Sequence, residues 1–563
     1  MLRKPIFAAV LVLACANLVA AQDQPTTKIK TKSKPGKTVV AATPAAAAAP
    51  APAPDFSVRY ANTITVEDLR KHLSILASDE YEGRETGKKG QKMAAEYISK
   101  QFVELGLTGP VKGSDNPYLQ HFEMNRVSVD PSTSVKIGSK TFVLNKDFYA
   151  IIDGSFATAT PVQPVFVGYG IGTEGYSDYA AAGDLKGKDL VMLLGEPLGK
   201  DGKPLLGKDG KASPFGDDGI QALVARTPSI RPLMPRSTFL IEPTAAAFAA
   251  VPAKLGMVFG REQLTFSDAP ARKGQNLFVV SPEMGAAMLG TTVAGLAKYQ
   301  KSVTAAGKPV ASPFKGATAT VQTAQKKEPF TTENVLGYLE GTDKKEELLV
   351  VSAHYDHLGL KDGKVFNGAD DDGSGTVSVL EMAQAFAQAK KDGYGPRRSI
   401  LFLANTGEEE GLLGSQYYTD HPIFTLENTV TDLNIDMVGR VDKEHEGKGD
   451  YVYLVGSDKL SSELHALSEA TNQKYNPVAL DYKFNDPADP ERIYYRSDHY
   501  NFAKHKVPVI FYTSGLHPDY HLETDDVDKI DFPAMARRDQ LIFHTAWELA
   551  NRDNRVAVDS NKP

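Results

Sequence analysis

The stretch LLVVSAHYDH, residues 348–357, runs four apolar side chains directly into two histidines and an aspartate. An uninterrupted apolar run such as Leu348 to Val351 predicts a strand buried on both faces, as in parallel sheets. Here it ends at Ala353 and His354. Groups at the end of such a strand stand where open α/β sheets place their ligands. Asp356, two residues beyond His354, is placed to accept the second ring N–H of that histidine, which would fix its tautomer and raise its basicity.

Four further acid and imidazole motifs follow downstream. In GADDDGSG, Asp370, Asp371 and Asp372 occupy a tight loop before a helix expected over 376–390. Acids at a helix N-terminus are ordinary caps, but three in a row repel one another unless a cation is present. A strand over 400–404 delivers GEEEG, in which Glu408, Glu409 and Glu410 are enclosed by Gly407, Gly411 and Gly414 and by Leu412 and Leu413. Adjacent glutamates can divide labour, one ligating a cation while its neighbour moves protons. Asp436 closes a β-like run over 430–435, and His521 lies in a loop after a strand over 507–512. Each motif terminates a strand, so convergence on one sheet edge is expected. Imidazole and carboxylate are the ligands of a zinc site that keeps a position open for water, whereas closed structural sites favour thiolates. With Cys15 the one cysteine in 563 residues, a thiolate site is excluded.

In this order HYDH, GADDDGSG, EEEGLLGS, NIDMVGR and YHLETDD resemble the motifs of the co-catalytic di-zinc aminopeptidases, the family that also contains glutamate carboxypeptidase II and plasma glutamate carboxypeptidase. The resemblance implies two Zn²⁺ per chain, with Asp371 bridging, His354 and Asp436 completing one site and Glu409 and His521 the other. It also implies Glu408 as general base, Asp356 as orienting acid and Tyr520 as stabiliser of the oxyanion. The implied fold is α/β, a mixed, mostly parallel sheet flanked by helices. The implied reaction is removal of N-terminal residues from peptides, with carboxypeptidase or dipeptidase activity as the alternative within the family. A non-catalytic binding protein is disfavoured by the intact Glu408 and five ligands. Substrate polarity points the same way: Asp370, Asp372 and Glu410 are spare acids suited to an α-ammonium, whereas a carboxypeptidase needs a cation, for which Arg492 and Arg496 are the nearby candidates.

Residues 57–126 read as the N-terminal part of the catalytic domain. They contain an amphipathic helix with Met93, Ala94, Tyr97, Ile98, Phe102 and Leu105 on one stripe, stopped by Gly106. They also carry a Gly83-Arg84 pair similar to one in the family. From 127 to 325 the pattern changes to short β-like runs with Gly/Pro turns and no acid or histidine cluster, and its centre resembles an inserted β-rich protease-associated domain. Residues 326–552 complete the catalytic domain, and 553–563 form a tail. Ser497, Asp498 and His499 have the residue types of a serine-hydrolase triad, but consecutive side chains diverge and no G-x-S-x-G elbow exists.

Arg3, Lys4 and the apolar run 6–19, followed by Val19-Ala20-Ala21, read as a signal peptide over 1–21, so the protein is expected to be exported, periplasmic or secreted. Lipidation at Cys15 is the alternative. Residues 22–56, rich in Lys, Pro and Ala, read as a disordered linker. No second apolar span of membrane length follows. With 63 basic against 70 acidic residues there is no electrostatic case for a nucleic-acid partner, and the expected partners are peptide substrates. The oligomeric state is not readable from the sequence.

Overall fold

The computed structural model describes residues 55–561, apart from 154, 181, 208–210, 218, 260–261, 270–275 and 476. The signal peptide, Cys15 and nearly all of the linker lie outside the described residues.

A nine-stranded mixed sheet organises the site-bearing part of the chain. In chain order its strands are β1 (Leu119–Val129), β2 (Gln263–Phe266), β3 (Gln325–Leu339), β4 (Lys344–His354), β5 (Arg398–Asn405), β6 (Thr429–Ile435), β7 (Tyr451–Val455), β8 (Ala479–Asp481) and β9 (Val509–Thr513). Across the sheet they run β2-β1-β3-β5-β4-β6-β9-β7-β8. The four central strands, β5, β4, β6 and β9, are mutually parallel. Antiparallel pairs flank them on both sides.

The expected apolar runs all fall on this parallel centre. Every residue of β5, β6 and β9 is buried, as is β4 from Leu348 to His354. Helices cover the sheet: α1 (Val66–Leu76), α2 (Lys89–Glu104), α3 (Gly375–Lys391), α4 (Leu413–Asp420), α5 (Ser462–Tyr475) and α6 (Phe532–Asn551). Ala94, Ile98 and Phe102 of the anticipated stripe are buried on α2, while Tyr97 packs at the margin of the core. The sheet is therefore α/β and mixed, with its parallel strands where the motif residues emerge.

Between β1 and β3 the chain builds separate sheets with their own core. A five-stranded sheet takes Phe148–Ile151, Asn276–Val280, Ser237–Ile241, Asp189–Leu193 and Pro164–Phe166, and a four-stranded sheet packs beside it. Five helices, among them Ile220–Ile230 and Val293–Ala306, lie within the same stretch, so it is less purely β than its sequence suggests. β1 and β3 pair over their whole shared length, from Leu119↔Val335 to Val129↔Gln325. Entry and exit are thus one antiparallel ribbon. β2, from within the inserted stretch, adds to the nine-stranded sheet beside β1.

Candidate metal centre

The carboxyl ends of the four parallel strands converge. In register, His354 of β4 lies beside Asn405 of β5, and Ser352 beside Asn434 of β6. Glu408 and Glu409 therefore follow one strand, Asp436 follows the next, and the loop after β9 carries His521. Asp371 comes from the loop between β4 and α3.

Asp371 stands at the middle. Its Oδ1 is 3.4 Å from His354 Nε2 and its Oδ2 is 3.0 Å from His521 Nε2. Glu409 Oε2 is 3.1 Å from the same His521 nitrogen. On the other side, Asp436 Oδ2 and Glu408 Oε2 lie 3.7 and 3.8 Å from His354 Nε2. All five anticipated ligands thus surround one cavity with one carboxylate facing both imidazoles.

Charge and burial separate the two glutamates. Burial raises the Glu408 carboxyl well above its ordinary range; nearby His354 opposes this, while the charges of Glu409 and Asp436 reinforce it. For Glu409 burial works in the same direction, but the charge of His521 and contacts with His357 and His521 hold it well below. Asp371 is likewise held well below despite burial, by His354 and His521. Burial pushes His521 downward, yet Glu409 and Asp371 lift it to about 10.

The carboxylates not facing the cavity are occupied by backbone. Asp372 accepts N–H bonds from His354 (3.2 Å), Gly375 (2.8 Å) and Met437 (3.2 Å). It lies near His354 and Asp436, and those three bonds leave one of its about four acceptor sites open. Asp370 accepts the Gly439 N–H at 2.7 Å and faces His517 at 3.3 Å. Both are fully buried. Backbone N–H groups thus hold part of both carboxylates, and both are buried away from solvent.

Asp356 stands beside the His354 ring, as its spacing suggests, while its carboxylate hydrogen-bonds elsewhere. His354 Nδ1 is 3.2 Å from the Asp356 backbone oxygen and 3.6 Å from its carboxylate. The carboxylate instead accepts the Thr86 hydroxyl at 2.8 Å and the Glu408 N–H at 3.2 Å. It ties the β4 loop to the β5 loop, next to the imidazole. Tyr520 stacks on His521 with ring centroids 3.9 Å apart, and its hydroxyl oxygen accepts a 3.0 Å bond from Arg496 Nη2. Burial raises that phenol well above its ordinary value, against the charge of Arg496.

Several site residues escaped the sequence reading. Ser497 donates at 2.6 Å to Asp436 Oδ2 and accepts from Asn434 at 2.8 Å, so it orients that carboxylate. Asp525 accepts the N–H groups of Asp370 and Asp371. Arg84, 1% exposed, donates to the carbonyls of Leu76, Tyr355, Asn367 and Gly368 and so clamps the HYDH and GADDD loops together. His357 Nδ1 is 2.8 Å from Glu409 Oε1. Arg84, His357 and Asp525 all lie within motifs quoted from the sequence, but without a role of their own.

The donor set fits a divalent cation of zinc type. His354 Nε2 and Asp371 Oδ2 are buried and make no hydrogen bond to any described residue, and buried polar atoms without partners call for an ion or a water. Two donor groups are recognisable, His354 with Asp372 and Asp436, and His357 with Asp371 and Glu409.

Residues 334–546 match Peptidase family M28, and this part of the chain is a domain of that family. A probable zinc metalloprotease of Pyrenophora tritici-repentis is 27% identical over 270 residues, covering 39% of this chain and 52% of that protein. A probable leucine aminopeptidase of Arthroderma otae is 31% identical over 215 residues, covering 37% and 55%. The chain thus spans about half the length of the curated relatives it matches. An aminopeptidase structure from Aneurinibacillus sp. strain AM-1 shares the fold, with TM-score 0.50 and 18% identity over 89% of this chain and 98% of that one.

Proposed function

We propose that this protein is an exported aminopeptidase holding two zinc ions, one between His354, Asp436 and Asp371 and the other between Asp371, Glu409 and His521. The supporting observation is the two-faced Asp371 carboxylate, Oδ1 toward His354 and Oδ2 toward His521. When bound, zinc polarises a peptide carbonyl and lowers the pKa of water toward neutrality.

The chain's own residues do the rest. Glu408, whose burial and neighbours raise its proton affinity, takes the proton of the attacking water and returns it to the leaving amine. Asp356 holds the Glu408 backbone N–H and so fixes where that base stands. Tyr520 donates its hydroxyl to the developing oxyanion, and the 3.0 Å bond from Arg496 leaves its proton free for that role. Ser497 keeps Asp436 aimed at the cavity. The stretch between β1 and β3 is read as a protease-associated domain, and the leader as a signal for export.

A carboxypeptidase or dipeptidase is favoured by one observation, the Arg496 guanidinium against Tyr520, a cation placed where a substrate carboxylate would need one. Arg492, the other candidate, lies over the Tyr495 ring instead, 4.7 Å from its centroid. Mass spectrometry of a digested peptide separates the readings. Ladders shortened from the N-terminus and abolished by N-acetylation are expected; ladders from the C-terminus that survive acetylation would overturn the aminopeptidase reading.

A further inference from the structure

We infer that His357 is a sixth protein ligand, sharing an ion with Asp371, Glu409 and His521. The inference rests on the two-zinc reading and adds to it a residue outside the five-ligand set.

His357 is the last residue of AHYDH and is 1% exposed. Its Nδ1 stands 2.8 Å from Glu409 Oε1 and 3.9 Å from Asp371 Oδ2. The first separation suits a hydrogen bond or two ligands of one ion, His357, Asp371 and Glu409 offer atoms that could share one cation, and His357 Nε2 has no hydrogen-bond partner among the described residues. A buried imidazole whose one ring nitrogen faces two acids and whose other has no partner is costly unless something absent from the protein chain satisfies it. An imidazole nitrogen and two carboxylate oxygens gathered this closely are the donor types of a zinc site. The ring is also built into place. The His357 N–H donates to the Arg84 carbonyl at 3.3 Å. Gly368 leaves the ring its seat, since a Cβ there would stand 2.4 Å from His357 Cγ. The His521 ring meets it edge-on, centroids 5.8 Å apart.

The two ions are then unequal. Apart from the shared Asp371, one has His354 and Asp436, while the other has Glu409, His521 and His357. The ion on the His357 side is held by more protein ligands and leaves last during chelation.

X-ray absorption on the full chain saturated with zinc counts the imidazoles directly. Two zincs per chain with three coordinated imidazoles are expected, falling to two in His357→Gln, with affinity for one ion reduced at least about tenfold and the other unchanged. Matching circular dichroism of the metal-free proteins verifies that the variant folds. If it does not fold, the wild-type imidazole count decides alone. Two zincs with only two imidazoles overturn the inference and leave the two-zinc reading standing. Fewer than two zincs at saturation overturn both.

Discussion

Glu408 and Glu409 are neighbours in sequence with opposed proton affinities, because only Glu409 faces His521 and His357 closely enough to be held ionised. Replacing Glu408 by Gln keeps the shape and removes the basicity, so turnover is expected to fall by at least ~10²–10⁴ with metal content intact. Glu409→Gln should instead lower metal content, with activity following it. Parallel assays of rate and bound zinc test the division; identical behaviour of the two variants would refute it. Ser497→Ala is a gentler probe. It removes the 2.6 Å bond to Asp436, and loss of a group that orients a ligand costs about 10- to 100-fold in metal affinity or rate. An unchanged zinc titration and rate would show that Asp436 needs no such support.

At the scale of elements, the turn between α1 and α2 supplies the clamp. Arg84 satisfies four carbonyls from three separate segments. Arg84→Met keeps the apolar stem but strands those carbonyls, and the expected loss is on the order of 3 kcal/mol or more by chemical denaturation. The helical layer makes a second prediction. Glu381 on α3 is fully buried, 3.6 Å from His72 of α1. Burial, with the charges of Asp68 and Asp539, raises Glu381 to about 8. Burial also lowers His72, so the histidine brings no countercharge. A carboxyl that stays protonated in the fold but ionises at about 4.5 when unfolded contributes stability that is complete below that pH and lost as pH climbs toward 8. Glu381→Gln should therefore unfold at a higher temperature than the parent at pH 8 to 9, by a difference on the order of a few kcal/mol that shrinks below pH 5. Equal differences at both pH values would contradict this origin.

For the whole molecule, binding energy at the metal centre is folding energy of the catalytic domain. Asp356, Asp370, Asp371, Asp372, Glu408, Glu409 and Asp436 are all buried close together, and the histidines and backbone N–H groups around them offset only part of the repulsion that a cation would relieve. Chelation is expected to lower the unfolding midpoint of this domain by several degrees and to abolish activity, both restored by zinc. The inserted stretch has separate cores, so its own transition should stay in place. A single transition that moves as one on chelation would show instead that the β1–β3 ribbon and β2 couple the two parts into one cooperative unit.

The sequence by itself determined which acid and imidazole side chains meet at one sheet edge and where along the chain they fall. Apolar runs mark the buried parallel strands, and polar residues at their ends have one sheet edge available to them. Hence His354, Asp371, Glu409, Asp436 and His521 were legible, as was the helix beginning at Gly375. The tertiary structure alone decided what each acid does. A carboxylate's role depends on what fills its lone pairs, and those partners come from far along the chain: Met437 for Asp372, Gly439 for Asp370, Thr86 for Asp356. The same holds for His357, indistinguishable in the motif from any loop histidine until the fold sets its Nδ1 against Glu409.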